Sequence, residues 1–562
     1  VGEGRTGRKV VIVGGVAGGM SAATRLRRLD EDAEIVVFEK GAHVSFANCG
    51  LPYYVGGVIE DRDELLLQTP ASLRARFDLD VRVSHAVLRI DRVSRTVTVK
   101  DHATGEITEE TYDALVLAAG ARAVAPLRGG GLPIHTLRTI DDVDAITGLL
   151  ERAGADARVV VAGAGFIGLE AVENLVRRGV AVTLVQRGDQ PLSPLDPEMA
   201  APVLAALEER GVDVRLDTDI VETREGAVVL SDLSEVPATF LIDARGVVPE
   251  TRLAVDAGLT IGATGGISVD GLQRTSDPSI YAVGDGVEKR DALDDTATLV
   301  TMAGLANRHG RIAADAICGL ALPSEPALGT AIVGVFDLTV AMVGWSEKRL
   351  RAAGRAHRIV HTHPSSHAGY FPGAQRMALK LLVDPLTDEI LGAQIVGGQG
   401  VDKRIDVIAT AMAGGLTASA LSRLELAYAP QYGSAKDAVN LAGYVADNLA
   451  TGLARTVQWH ELAGEVEAGA VLVDVRTGAE FARGAIPGAV NMPLDELRER
   501  VGELAGRSVI VHCHVGQRGH TAARLLAQQG VDVRNLDGGY LTWDAGRASR
   551  VVRSERREGA LV

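Results

Sequence analysis

Cysteine is scarce: three in 562 residues. That excludes a disulfide framework and suits a reducing cytoplasm. The paired cysteines of a zinc site are missing, so no metal is expected. Aromatics make up 4% of the chain and apolar residues 46%. The cores must therefore be built from Ala, Val, Leu and Ile, as in α/β layers. No apolar run is long enough to span a membrane. The start, VGEGRTGRKV, lacks both the apolar stretch of a secretory signal and an initiator Met, and is expected to be a short flexible lead-in. Positive charge is outweighed, with a net of −15. This argues against nucleic acid and membrane surfaces as partners but leaves room for a local basic pocket.

What is present is a repeated design. KVVIVGGVAGGMSAATRLRRL (9–29) and RVVVAGAGFIGLEAVENLVRRGVAVTLV (158–185) each read as strand, glycine turn and helix. Such a turn lets the backbone approach a pyrophosphate at a helix N-terminus, where free N–H groups and the helix dipole favour negative charge. The second is a full G-x-G-x-x-G, Gly163, Gly165 and Gly168. The first runs Gly14, Gly15, Val16, Ala17, Gly18, Gly19, with Val at the middle glycine position. After the first, EIVVFEK puts Glu39 at a strand end, where it can accept from ribose hydroxyls. After the second, Gln186 and Arg187 stand there instead. Arg187 could meet a 2′-phosphate, which leans toward NADPH or tolerance of both nicotinamides. LVLAAGAR carries Ala119 and Gly120 at a strand end suited to packing near a dinucleotide. IYAVGD ends on Asp285, an acid that can bind a flavin's ribityl hydroxyls. Together these describe an FAD domain (8–125 and 256–327) interrupted by an NAD(P) domain (126–255). Alternating strands follow in an α+β interface domain (328–450). A short polar connection leads to a separate α/β unit (457–549), and the charged tail after about 550 is expected to be loose.

Cys49 lies in VSFANCGLPYY without a nearby thiol, because Tyr54 occupies the place of a second cysteine in C-x4-C. Its oxidised form must be a mixed disulfide with a small thiol, a persulfide or a sulfenic acid. Cys318, in an apolar helical pattern, reads as core. Cys513 ends a strand and opens C-x4-R with Arg518, a loop that would curl its N–H groups inward at a helix N-terminus, lower the thiol pKa and stabilise a persulfide. His361, His363 and His367 in HTHPSSHAGY invite a metal reading, but an H-x-H on a strand or loop lacks the supporting carboxylates of a typical site, and the segment leads into the tyrosine motif.

Residues 8–445 resemble the single-cysteine branch of the pyridine nucleotide-disulfide oxidoreductases, and SFANCGLPYY, VDKRIDV and YAPQYGSAKD resemble its coenzyme A-disulfide reductases. VLVDVRTGAEFARGAIPGAVNMPLDELR, VHCHVGQRGHTAARLL and LDGGYLTW resemble a rhodanese. The fused pair is similar to the reductase–rhodanese fusions, some of them NAD(P)H-dependent persulfide reductases. The resemblance implies an α/β protein with two Rossmann-like domains, for FAD and NAD(P), a dimerisation domain and a C-terminal rhodanese domain. It implies a homodimer that brings Tyr370 and Tyr428 to the cysteine of the partner subunit. It places coenzyme A contacts at Ser21, Arg25, Arg28, Ser45, Asn48, Asn307 and Lys436; Arg25 and Arg28 share one helix face. Phe371 and Gln431 depart from the tyrosine and proline common at their positions, and Ala485 from a histidine. Asp474 and Arg476 match framework positions. The expected activity is FAD-dependent reduction by NAD(P)H of coenzyme A disulfide, coenzyme A persulfide or polysulfide, its partners being small thiols, disulfides and persulfides. The rivals are an NADH oxidase or peroxidase cycling through Cys49 sulfenic acid, and a slow redox sensor or sulfur carrier.

Overall fold

A computed structural model describes residues 7–124, 127, 130–320 and 322–559, with side chains described as far as 549. The lead-in at 1–6 and the expected boundary at 125/126 fall wholly or partly outside the described residues. Two compact units result, one from residues up to 185 together with 220–327, the other from 186–219 together with 328 onward. The division falls inside the 126–255 segment.

In the first unit, β1 (Lys9–Val13) turns through glycines into α1 (Ala17–Leu29) and returns as β2 (Glu34–Phe38). Next come α2 (Leu51–Val55), β3 (Asp80–Arg82) and β4 (Ala114–Leu117). The second strand–helix–strand is β5 (Arg158–Ala162), α3 (Phe166–Arg177) and β6 (Ala181–Val185), followed by β7 (Phe240–Asp243). Finally β8 (Ile280–Ala282) completes the first sheet and α4 (Ala303–Ile317) lies against α1. That sheet is parallel in the order β8-β4-β1-β2-β3. Val10 and Ile12 of β1 pack into one core cluster, Val11 and Val13 into another. Both faces are covered, which is why these strands read as unbroken apolar runs. Each such side chain contributes roughly 1.5–3 kcal/mol by burial. Strand order reverses beside β1, opening a crevice at the carboxyl ends of β1 and β4. In the second sheet β6, β5, β7 and the short strand Ile134–His135 also run parallel.

In the second unit, β9 (Ala331–Val335), β10 (Leu338–Gly344), β11 (Arg358–Thr362), β12 (Met377–Val383) and β13 (Ile390–Gly397) form an antiparallel sheet ordered β9-β10-β13-β12-β11. The helices α5 (Val401–Ala413) and α6 (Ala438–Ala450) share its core. The C-terminal part holds β14 (Val471–Asp474), β15 (Ser508–His512), α7 (Gln517–Gln528), β16 (Asp532–Leu536) and α8 (Gly539–Gly559). Its sheet is parallel, ordered Thr456–Val457, β16, β15, β14, Val490–Asn491. Two expectations are corrected. The polar connection is shorter than expected, because Thr456 already pairs with Asn535. The charged tail continues α8 to Gly559.

Candidate active site

The glycines of the first turn have separable reasons. Gly14 adopts φ +107°, and a Cβ on Gly19 would stand 1.9 Å from the Gly14 carbonyl oxygen. Val16 stands at the middle glycine position with a negative φ of −112°, so no left-handed backbone is forced on its side chain. The carboxylate of Glu39 accepts the Gly15 N–H at Oε2 and the Gly41 N–H at Oε1, both at 2.8 Å. Lone pairs remain on both oxygens for a ribose. A cavity of about 710 Å³ is lined by Gly14, Gly15, Gly18, Glu39, Asn48, Ala119, Gly120 and Asp285. A Cβ on Gly120, which has φ +69°, would meet nothing within 4 Å. Burial pushes the Asp285 carboxyl up, opposed by Lys289 and Arg138. An acid at a strand end, a glycine turn at a helix N-terminus and a cavity of ligand size together fit FAD.

The second turn fits a nicotinamide dinucleotide by the same logic. Gly163 has φ +100°, and a Cβ on Gly168 would meet its carbonyl oxygen at 1.8 Å. Gly165 needs neither excuse: its φ is −82°, and a Cβ would meet nothing within 4 Å. It is exposed, and the space beside it is open. Gln186 follows β6 and donates from Nε2 to Ser193 Oγ at 3.3 Å, while Arg187 is exposed.

Cys49 sits in the one-turn 3₁₀ segment Asn48–Gly50 ahead of α2 and is exposed. The approach is fixed by Ser45, at φ +50°, whose N–H donates to the Gly15 carbonyl at 2.8 Å. Behind it α2 packs on α3. Arg178 Nη1 donates to the Val55 carbonyl at 2.9 Å, and a Cβ on Gly56 would strike Asn174 Oδ1 at 2.2 Å. Tyr53 donates to Glu170 Oε1 at 3.3 Å. Burial pushes the Cys49 thiol up, and the Glu170 and Asp285 carboxylates add to it. Sequence reasoning missed Glu170, although it stands two residues past Gly168. Cys318 caps α4, half-buried against the core.

Of the expected coenzyme A contacts, Ser21 and Asn307 meet directly, Ser21 Oγ donating to Asn307 Oδ1 at 2.7 Å. Arg25, read as an available cation, is paired with Asp315 at 2.7 Å. Arg28 and Asn48 are exposed. Lys436 is exposed in the second unit. There too Tyr370 and Tyr428 hydrogen-bond through their hydroxyls at 2.8 Å, both exposed, and this bond raises the Tyr428 phenol.

Cys513 follows β15 and is fully buried. Its loop turns at Gly516, φ +88°, into α7. Arg518 pairs bidentately with Glu480, at 2.8 and 2.7 Å. Glu480 first and the Cys513 sulfur second raise the guanidinium, while burial opposes both. Arg518 pulls Glu480 down to about 2. Glu480 escaped the sequence reading. Asp474 and Arg476 form a buried pair at 2.6 Å, and Arg476 also donates to the Gly484 carbonyl and lies over the Tyr540 ring. The three histidines do not converge. His361 lies between Asp537 at 2.9 Å and Glu198 at 3.1 Å, His363 contacts Thr542 at 2.7 Å, and His367 contacts Ser366 and the Pro372 carbonyl. The carboxylates judged absent near His361 thus arrive from residues 198 and 537. Asp196, Glu198 and Glu347 do converge, but Lys380 Nζ fills the cation position, at 3.1, 2.5 and 2.5 Å.

A parallel-sheet crevice for one dinucleotide, a second glycine turn for another and a lone exposed thiol beside the first define a flavin-dependent oxidoreductase of the thiol–disulfide class. Residues 8–305 match the pyridine nucleotide-disulphide oxidoreductases, 330–439 their dimerisation domain and 458–545 the rhodanese-like domain, and the chain belongs to the pyridine nucleotide-disulphide oxidoreductase family. Among its relatives, the coenzyme A disulfide reductase of Staphylococcus haemolyticus is 36% identical over 443 residues, 79% of this chain and 100% of that one. Reduced Bacillus anthracis CoADR-RHD superposes with a TM-score of 0.94 at 44% identity, covering 96% of this chain and 98% of the other. A NAD-dependent persulfide reductase from A. fulgidus gives 0.89 at 36%, covering 95% and 100%. No helix of the described residues is long and apolar enough to cross a membrane.

Proposed function

We propose that this protein is an FAD-dependent NAD(P)H reductase of coenzyme A disulfide, coenzyme A persulfide or polysulfide. Cys49 carries the redox chemistry, and the rhodanese domain handles sulfane sulfur through Cys513. The observation that carries the reading is the isolation of Cys49. It is exposed, it follows a residue that lines the dinucleotide cavity, and the chain's other thiols are a helix cap and the buried Cys513. A lone redox thiol completes its S–S bond with a small molecule.

In the proposed cycle the Cys49 thiolate attacks one sulfur of coenzyme A disulfide. A Cys49–S–S–CoA bond forms, the substrate S–S bond breaks, and the first thiolate leaves with a proton. With coenzyme A persulfide the leaving group is hydrosulfide. FAD, when bound, would supply hydride acceptance from NAD(P)H and two-electron delivery to sulfur. With that reduction the Cys49 side of the mixed disulfide would return to thiolate and the second coenzyme A would leave. The net change for the disulfide is NAD(P)H, one proton and CoA-S-S-CoA giving NAD(P)⁺ and two CoA-SH. Glu39, Gly15 and Asp285 would hold the flavin; Gly163, Gly165 and Gly168 would hold the nicotinamide nucleotide. Ser21, Asn307 and Arg28 offer hydrogen bonds and charge to coenzyme A. The mutually bonded Tyr370 and Tyr428, exposed on the second unit, suit proton donation to a leaving thiolate within a homodimer. A reducing cytoplasm is the proposed compartment, supported by three free thiols.

Anaerobic stopped-flow measurement tests this reading. The NAD(P)H-reduced protein is mixed with coenzyme A disulfide, coenzyme A persulfide or buffered oxygen. Reoxidation of the flavin absorbance by either coenzyme A species, faster than by oxygen, is expected. Reoxidation by oxygen or peroxide alone would replace the reading with an oxidase cycling through sulfenic acid.

A further inference from the structure

The Cys513 loop is built on the segment 537–542, a turn at Asp537 and Gly538 running into the first residues of α8. The Tyr540 N–H donates to the Cys513 carbonyl at 2.8 Å, and the Leu541 N–H to the His514 carbonyl at 3.0 Å. Gly539, at φ +66°, sits so close that a Cβ would lie 2.6 Å from the Cys513 carbonyl oxygen and 2.7 Å from Gly516 N. The Tyr540 ring stacks on His514 with centroids 6.3 Å apart. The geometry of that loop therefore depends on what holds 537–542.

Part of what holds it is local, the Asp537 N–H donating to the Val457 carbonyl at 3.0 Å and Gln458 Nε2 to Asp537 Oδ2 at 3.1 Å; the rest lies outside the rhodanese-like segment, at the end of β11. Asp537 Oδ2 accepts from the His361 N–H and bonds His361 Nδ1, each at 2.9 Å. On its other side His361 Nε2 meets Glu198, itself bound by Lys380. His363 Nε2 meets Thr542 Oγ1 at 2.7 Å. Between these two anchors Gly538, at φ +67°, passes so tightly that a Cβ would be 2.8 Å from His361 Cβ and 2.0 Å from Thr542 Oγ1. Both ends of the turn are thus tied to one strand, with a glycine where strand and turn touch.

We infer that His361 and His363 are positioning residues for sulfur transfer: through Asp537 and Thr542 they clamp the turn that shapes the Cys513 loop, so the second redox site depends on a strand of the dimerisation domain. The inference rests on the reading of Cys513 as the sulfur-carrying thiol. A loop whose N–H groups must face a persulfide sulfur tolerates little displacement, and an error of about 1 Å in such a site costs about 10²-fold.

The test uses the full chain, with thiosulfate as sulfur donor and cyanide as acceptor, thiocyanate being measured. His363→Leu is expected to lower kcat about tenfold or more, with NAD(P)H-dependent reduction of coenzyme A disulfide unchanged. His363→Gln, which can still bond Thr542, should restore most of the rate. Thr542→Val attacks the same contact from the other side, and the double variant should be no worse than either single one. Parent kcat in both His363→Leu and Thr542→Val, with Cys513→Ser inactive, would overturn the clamp and leave the role of Cys513 intact. Parent rate in Cys513→Ser would instead overturn the reading beneath it.

Discussion

At the scale of single residues, three glycines of the second turn separate space from strain. A methyl on Gly165 clashes with nothing within 4 Å, whereas one on Gly168 meets a carbonyl oxygen at 1.8 Å. Gly165→Ala should leave the thermal midpoint unchanged and raise KM for the nicotinamide nucleotide. Gly168→Ala should lower the midpoint as well. Equal midpoints for the two variants, with KM unmoved in Gly165→Ala, would show that the open space beside Gly165 serves no ligand. The glycines at a turn after a strand, and Glu39 and Cys513 at strand ends, were legible in the sequence because motif spacing and apolar runs carry that placement. Their partners were not. Asp315 meets Arg25 across 290 positions, Asp537 meets His361 across 176, and Glu480 meets Arg518 across 38. An acid far along the chain gives no local sign of the cation it will meet.

At the scale of elements, β12 puts Lys380 in the middle of an apolar run, MALKLLV, with no exposure at all. That lysine was a visible signal, since an ammonium is buried only where carboxylates await it. Burial pushes its pKa down, the three carboxylates outweigh that, and the net shift is upward. Lys380→Met strands Asp196, Glu198 and Glu347 without their cation, and breaking a buried pair in this way costs about 3–5 kcal/mol. The expected result is a clearly lower midpoint for the second unit in thermal or urea unfolding; an unchanged midpoint would contradict it. His361 gives the same network a pH dependence. Burial lowers the ring, but Asp537 and Glu198 overcome it and raise the pKa to about 9 from an ordinary 6.5. Stabilisation by the protonated ring is therefore complete below about pH 6.5 and is lost as pH rises through about 9. The parent's thermal midpoint should fall between pH 7 and 10 by more than that of His361→Gln. Parallel falls in the two proteins would remove His361 as the cause. The strands themselves were readable from their apolar runs. The continuation of α8 through the charged tail was not, because charge density there suggested solvent and loose chain.

At the scale of the whole molecule, the order of segments along the chain was legible, since each glycine turn and each cysteine motif announces its own unit. The grouping of 186–219 with the chain beyond 328 was not, because those residues follow β6 without a break and their partners lie more than a hundred positions on. Cys49 in the first unit and Cys513 in the second give the protein two thiols of opposite setting, one exposed and one enclosed. The account assigns reduction to the exposed one. Its most direct test is steady-state turnover of Cys49→Ser, anaerobically, with NAD(P)H and either coenzyme A disulfide or coenzyme A persulfide. The account predicts a fall of at least about 10³-fold, with flavin reduction by NAD(P)H and sulfur transfer from thiosulfate to cyanide both retained. A serine variant that turns over these substrates at the parent rate would contradict it.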